Sequence, residues 1–301
     1  MHPDPSFSRR RFLQVAGGTL GLAALNRARA QRSPDITLPD DGMYPPKRFT
    51  IDAHVHWRPT PEFLPKLLKH YRPRNAMACV NCSFEEFPLL LAAAKEHPDV
   101  IIPFVRVTPD DNDALAKLDD VKGRGARGLA ELSGFKYDWS DERYFPYYEK
   151  VQSLGLVALF HSMATGLRTQ PVHLGVVASR FRQMPIICAH MGNPDFAVAA
   201  ELARLNANIV VEISSSGLLR FQSFPEKLKE YLWWNGPNQH SRVNLGYAFD
   251  QLVFATDEPP DHLATCLAQY EAILQACGVP ETTRQNVYGR TLAKILNIPV
   301  R

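Results

Sequence analysis

Phe49-Thr50-Ile51-Asp52-Ala53-His54-Val55-His56-Trp57 is a short run that wants burial and ends in two histidines one residue apart. Side chains two apart on a strand leave the same face, so both imidazoles project together from the end of one strand. Seven further apolar runs follow: 75–82 (NAMACVNC), 100–109 (VIIPFVRVTP), 126–132 (ARGLAEL), 155–162 (GLVALFHS), 184–192 (MPIICAHMG), 208–216 (NIVVEISSS) and 251–259 (QLVFATDEP). Amphipathic stretches lie between most of them, and 83–97, 110–121, 141–154 and 193–205 each open near Ser or acidic residues, as helix starts do. Strands alternating with helices imply parallel pairing through crossovers. Eight such units predict an α/β protein closed as a (β/α)8 TIM barrel rather than an open sheet. Residues 217–250 form a long, lid-like insertion after strand seven, and 261–278 and 281–297 read as closing helices.

With 301 residues, the chain has room for one barrel of roughly 250 residues and a short appendage. Its 34 Lys and Arg exceed its 31 Asp and Glu. Residues 1–30, however, hold five Arg and one Asp, so the remainder is close to neutral. A neutral body gives no electrostatic reason to expect nucleic acid or an anionic membrane as partner. Five cysteines are too few and uneven for a disulfide framework. Cys79 and Cys82 form a CxxC inside a strand-like run, open to core packing, a structural disulfide or a redox pair.

The N-terminus reads as an address. Arg9-Arg10-Arg11-Phe12-Leu13 precedes a weakly apolar run, Val15–Leu25, and Ala28-Arg29-Ala30 offers a small-residue cleavage site. The run is about half of the roughly 20 residues a membrane span needs. The paired arginines resemble a twin-arginine signal, which implies export of the folded protein by that machinery. Residues 1–30 are thus expected to be the signal, 31–48 a Pro- and Asp-rich linker and 49–301 the barrel. The mature protein is expected to lack a membrane span and to reside in the periplasm or outside the cell.

Three more residues turn the histidine pair into a candidate site. His161 ends strand five, His190 ends strand six, and Asp257 ends strand eight. At the C-terminal ends of barrel strands these groups face the mouth where such barrels work, and neutral imidazoles suit a borderline cation such as Zn2+. Arg106 could bind a carboxylate, Arg58 and Trp57 could line the mouth, and Trp233-Trp234 could cover an aromatic substrate or pack the insertion. Glu212 and Ser214 share one face of strand seven and suit either substrate contact or buried hydrogen bonding.

Together, Ile51-Asp52-Ala53-His54-Val55-His56, His161, Ala189-His190-Met191-Gly192, Phe254-Ala255-Thr256-Asp257-Glu258-Pro259 and Asn286–Leu296 resemble the amidohydrolase superfamily. The likeness is to its amidohydrolase-2 group, which includes aminocarboxymuconate-semialdehyde decarboxylase-like and pyrone-dicarboxylate lactonase-like enzymes. The resemblance spans about residues 49–298. It implies one divalent metal, zinc above others, held by His54, His56, His161 and Asp257, with His190 beside the activated water. Many two-metal relatives carry a carboxylated Lys at the end of strand four as a bridge. This chain has none there, and Glu131 would have to point inward to replace it. The resemblance implies a metal-dependent hydrolase of ester, lactone or amide-like bonds in a small organic acid, with Asp257 taking the proton of the attacking water. Non-oxidative decarboxylation of an unsaturated or aromatic acid is the alternative, and a non-catalytic extracytoplasmic binding protein is a third reading. Whether the protein forms a homodimer is left open.

Overall fold

A computed structural model describes residues 48–163, 166–220, 225–232 and 248–301, all within one compact unit, Asp40–Arg301. Seven parallel strands pair in chain order: β1 (Thr50–His56), β2 (Ala76–Cys82), β3 (Ile101–Val105), β4 (Gly128–Leu132), β5 (Val157–Phe160), β6 (Ile186–Cys188) and β7 (Ile209–Val211). The helices α1 (Phe63–Tyr71), α2 (Phe87–Glu96), α3 (Ala114–Arg124), α4 (Phe145–Ser153), α5 (Val172–Arg180) and α6 (Phe196–Leu205) occupy the six crossovers. Short helices α7 (Gly217–Arg220) and α8 (Pro225–Leu232) follow β7; α9 (Leu263–Ala276), α10 (Glu281–Gln285) and α11 (Thr291–Leu296) end the chain. No helix among the described residues is long and apolar enough to cross a membrane. The proposed signal, nearly all of the linker, and Trp233-Trp234 lie outside the described residues.

Strand alternation sorts the core into two layers. Ile51, Met77, Cys79, Phe104, Leu159 and Val210 fill the inside of the curled sheet, while Val80, Val105, Leu132 and Phe160 pack outward beneath the helices. Gly128 is where the inside closes tightly, since a Cβ there would stand 2.5 Å from the Phe104 ring. Cys79 belongs to the inner layer and Cys82 to the outer, and both are free thiols. Three residues apart on a strand, they face opposite sides and cannot bridge. Burial pushes Cys79 well above the usual thiol range and Cys82 to about 12, so neither offers a thiolate. Packing is their role.

The eighth strand expected over 251–259 is not regular. Its segment still touches both neighbours: Val253 N–H donates to Val211 O at 2.9 Å, Asp257 N–H donates to His54 O at 2.8 Å, and Phe254 O accepts from Ala53 N–H at 2.9 Å. Other groups take the remaining donors. Ala255 N–H goes to the Tyr270 hydroxyl and Thr256 N–H to the Asp52 carboxylate. Phe254 N–H goes to Val287 O. Side chains and the C-terminal turn thus displace the ladder, leaving one parallel bridge, Val211–Leu252. The sheet is a parallel α/β barrel with seven regular strands.

Candidate metal centre

Two bulges put the key groups inside. In β1 the pairing slips between Asp52 and Val55. Ala53 lies in the inner layer and Val55 in the outer, so the slip turns His54 inward and, by alternation, His56 after it. Buried Asp52 braces the slip from behind. It accepts from His54 N–H at 3.0 Å, Thr256 Oγ1 at 2.7 Å and the Tyr71 hydroxyl at 2.7 Å. Burial lifts its pKa to about 6 against these bonds. In β4 the pairing slips between Leu129 and Leu132, and Glu131 swings inward behind inner-layer Ala130. Bulges commonly re-aim a side chain in this way.

Backbone strain gathers at the same end of the barrel. Glu131 (φ 24°), His190 (55°), Met191 (47°), Ser215 (49°) and Asp257 (50°) all hold positive φ. Each costs on the order of 1–3 kcal/mol in a residue with a Cβ. Such strain persists where surrounding structure enforces it, commonly at functional sites.

His54 Nε2 stands 3.1 Å from His56 Nε2 and 3.6 Å from Asp257 Oδ1, with His56 Nε2 3.2 Å from Asp257 Oδ1. Across the mouth, His190 Nε2 lies 3.3 Å from His161 Nδ1. Glu131 sits between the two sets. Its Oε2 is 3.3 Å from His56 Nε2, while its Oε1 is 3.5 Å from His54 Nε2, 3.4 Å from His190 Nε2 and in close contact with His161 Nδ1. His54 and His190 are buried; His56 is 43% exposed and marks the open side.

Three contacts orient these groups. His54 Nδ1 faces Glu212 Oε1 at 3.2 Å and His190 Nδ1 faces Ser214 O at 2.9 Å. Acceptors there favour the tautomer with its proton on Nδ1, so that Nε2 of each neutral ring carries the lone pair aimed into the cavity. Fully buried Glu212 also accepts from His190 N–H at 3.1 Å and Ser214 N–H at 2.5 Å. The Ser215 hydroxyl donates to Asp257 Oδ2 at 2.7 Å and fixes that carboxylate's rotation. The electrostatics follow. Burial alone would raise Asp257 and Glu131, yet the neighbouring imidazoles hold Asp257 at about 2 and Glu131 well below the carboxylate range. Burial would lower His54, but Glu131 and Glu212 carry it well above 6.5.

Sequence reasoning named His54, His56, His161, His190 and Asp257, and the structure brings all five to one mouth. His54, His56 and Asp257 meet directly, whereas His161 meets His190 and Glu131. Arg106 is exposed, and its guanidinium donates to Ser133 O at 2.7 Å. Arg58 is exposed. Trp57 packs edge-on against Phe63, with ring centroids 5.1 Å apart, and its buried indole N–H has no partner among the described residues. Glu212 and Ser214 are buried hydrogen-bonding groups that hold the histidines. The expectation missed Ser215 and Asn81. Asn81, 3% exposed, pairs in register with His56, and neither polar atom of its amide has a partner among the described residues. It shares the inward parity of Met77 and Cys79, a signal present in NAMACVNC.

The Amidohydrolase family model matches residues 51–298. The chain belongs to the amidohydrolase family. It is therefore an enzyme of a metal-dependent family acting on small molecules. No curated protein matches the amidohydrolase chain. Among solved structures it resembles a probable 2-pyrone-4,6-dicarboxylic acid hydrolase of Acinetobacter baumannii with citric acid bound (TM-score 0.57, 14% identity, 83% of this chain and 100% of that one). It also resembles 5-carboxyvanillate decarboxylase of Sphingomonas paucimobilis (0.55, 13%, 84% and 100%). A third likeness is to a dihydroxybenzoic acid decarboxylase of a Polaromonas species, with bound manganese and an inhibitor (0.55, 15%, 82% and 96%). At these identities the likeness shows a common fold.

The amidohydrolase's donors suit a divalent cation. Four donors about 2.1 Å from one ion at tetrahedral angles stand about 3.4 Å apart. The spacings of 3.1, 3.2 and 3.6 Å among His54, His56 and Asp257 match, and the nitrogen-rich set suits a borderline ion.

Proposed function

We propose that this amidohydrolase is a hydrolase that cleaves an ester, lactone or amide-like bond of a small organic acid, with zinc as its cation. The meeting of His54, His56 and Asp257 beside Glu131, at the strand ends of the barrel, carries the reading. When bound, the cation supplies Lewis acidity: it polarises an oxygen it touches and lets water lose a proton near neutral pH.

The chain's own groups do the rest. Asp257 keeps Oδ1 on the imidazole pair, and its Oδ2, held by Ser215, is the site that takes the proton of the attacking water. The Ser215 hydroxyl occupies one lone-pair direction of Oδ2 and leaves another for that proton. His190 Nε2 presents a lone pair that can accept from water or hold a cation. Asn81 and the Trp57 indole N–H, both buried without partners among the described residues, are groups that can receive polar atoms of a substrate. Exposed Arg106 and Arg58 offer positive charge to its carboxylate. Residues 1–30 would export the enzyme through the twin-arginine route to the periplasm or beyond.

Decarboxylation is the second reading, because two of the solved structures of similar fold are decarboxylases. Metal-loaded enzyme is to be incubated with a panel of carboxylated lactones, esters and aromatic acids while CO2 and released acid are measured separately. Acid release without CO2 supports hydrolysis, and stoichiometric CO2 overturns it in favour of decarboxylation.

A further inference from the structure

The N-terminal ends of β4 and β5, opposite the metal centre, border a recess of about 480 Å3 where α3, α4 and α11 end. Its wall is apolar on one side and cationic on the other. Buried Val157 and Leu296 and half-buried Ile295 form the apolar side, while Lys122, Arg127 and Asn297 supply hydrogen-bond donors. No carboxylate among the described residues lines it. Acids of α3 close to Lys122 in sequence are committed elsewhere: Asp119 meets Lys150 at 2.7 Å and Asp120 meets Arg124 at 3.1 Å. Neither Lys122 nor Arg127 has an ion-pair partner among the described residues. We propose that this recess binds an organic carboxylate, its anionic head between Lys122 and Arg127 and its apolar body on Val157, Ile295 and Leu296. The site is separate from the mouth and independent of the reaction carried out there.

A guanidinium carries five N–H groups. Arg127 gives one to Leu296 O, its only side-chain hydrogen bond among the described residues, and that bond anchors the planar group against the end of α11. The Lys122 ammonium and the Asn297 amide make none among the described residues. Burial and the Arg127 charge hold the Lys122 amine below the ordinary lysine value. Two like charges thus share a partly desolvated recess with no counter-charge, a repulsion that an entering anion relieves. A carboxylate fits the guanidinium fork and accepts charge-assisted bonds from it. The apolar side then selects the rest of the ligand. Phosphate or sulfate would leave Val157, Ile295 and Leu296 facing water, whereas an aromatic or aliphatic body covers them. Arg127 precedes β4 and Glu131 stands four residues on, roughly 13 Å along a strand, so a ligand here does not touch the groups of the metal centre.

Benzoate is the probe, titrated into the metal-loaded protein by calorimetry. Lys122→Glu, Arg127→Gln and Arg106→Gln are run alongside, with circular dichroism as the folding control. The proposal expects one equivalent of benzoate whose dissociation constant rises at least about tenfold in Lys122→Glu and in Arg127→Gln, as loss of a charge-assisted bond implies. In Arg106→Gln, at the mouth, that equivalent is expected to bind as before. Inorganic phosphate at the same concentration is expected not to displace it. No benzoate uptake, an isotherm that Lys122→Glu leaves unchanged, weakening in Arg106→Gln alone, or equal displacement by phosphate would each overturn the proposal. Should Arg127→Gln not fold because Leu296 O loses its donor, half-buried Lys122 decides through Lys122→Glu and Lys122→Gln. Binding is read without turnover, so a different reaction at the mouth leaves the test intact.

Discussion

Glu212→Gln probes whether the buried carboxylate behind His54 serves metal binding or only packing. The carboxylate accepts from His54 Nδ1 at 3.2 Å, His190 N–H at 3.1 Å and Ser214 N–H at 2.5 Å. Glutamine keeps one oxygen for the first two but turns an NH2 group toward Ser214 N–H. That strands one buried donor, at about 1–3 kcal/mol. Alanine would strand three donors at about 3–9 kcal/mol, enough to threaten the fold, so glutamine is the informative variant. Losing the charge weakens the bond that orients His54 and makes Nε2 a poorer donor. Loss of such an outer partner typically costs about 10–100-fold in metal affinity. Competition between the protein and a chromogenic chelator for Zn2+ measures this, with melting followed in parallel. We expect the Zn2+ dissociation constant to rise about 10–100-fold, with a fall in Tm of about 2–10 °C. A lowered Tm with unchanged Zn2+ affinity would refute the reasoning, because Glu212 would then brace the barrel without serving a ligand.

Asn81→Leu removes a buried amide that has no partner among the described residues. The variant should melt no lower than the unaltered protein while losing most turnover, and a clear drop in Tm would show the amide to be structural. Zn2+ binding to the metal-free protein should release protons, because Glu131 and Glu212 overcome burial and raise His54 above the ordinary histidine range. A raised pKa means the proton must leave before the cation can bind, so affinity should climb with pH, by up to about tenfold per unit per displaced proton. Calorimetry in buffers of different ionisation enthalpy reads the release, and a buffer-independent enthalpy would contradict it. Replacing Arg9 and Arg10 with Lys should leave precursor in the cytoplasm of an exporting host; immunoblots of cell fractions showing normal export would remove the twin-arginine reading.

The strand–helix alternation and the ends of strands five, six and eight were legible because period-two burial and terminal polar residues are local features. The eighth strand was less so. QLVFATDEP reads as a strand, but Tyr270, Asp52 and Val287, all distant in sequence, take its backbone donors. Glu131 was the hardest residue to read. Simple alternation from Leu129 would face it outward with respect to Ala130, and only the β4 bulge reverses this. A bulge of one residue leaves no signature in a five-residue strand. The His54–His56 pair was read as projecting together, which holds, although a bulge in β1 rather than unbroken alternation sets the direction. Asn81 and Ser215 went unnoticed because a lone amide or hydroxyl at a strand end resembles any turn residue until its partners are known.

Crystals of the metal-loaded protein, with data collected at the zinc absorption edge, address the central claim most directly. The account predicts an anomalous peak at coordination distance, about 2.1 Å, from His54 Nε2, His56 Nε2 and Asp257 Oδ1. A loaded crystal whose anomalous density avoids those three atoms would contradict it.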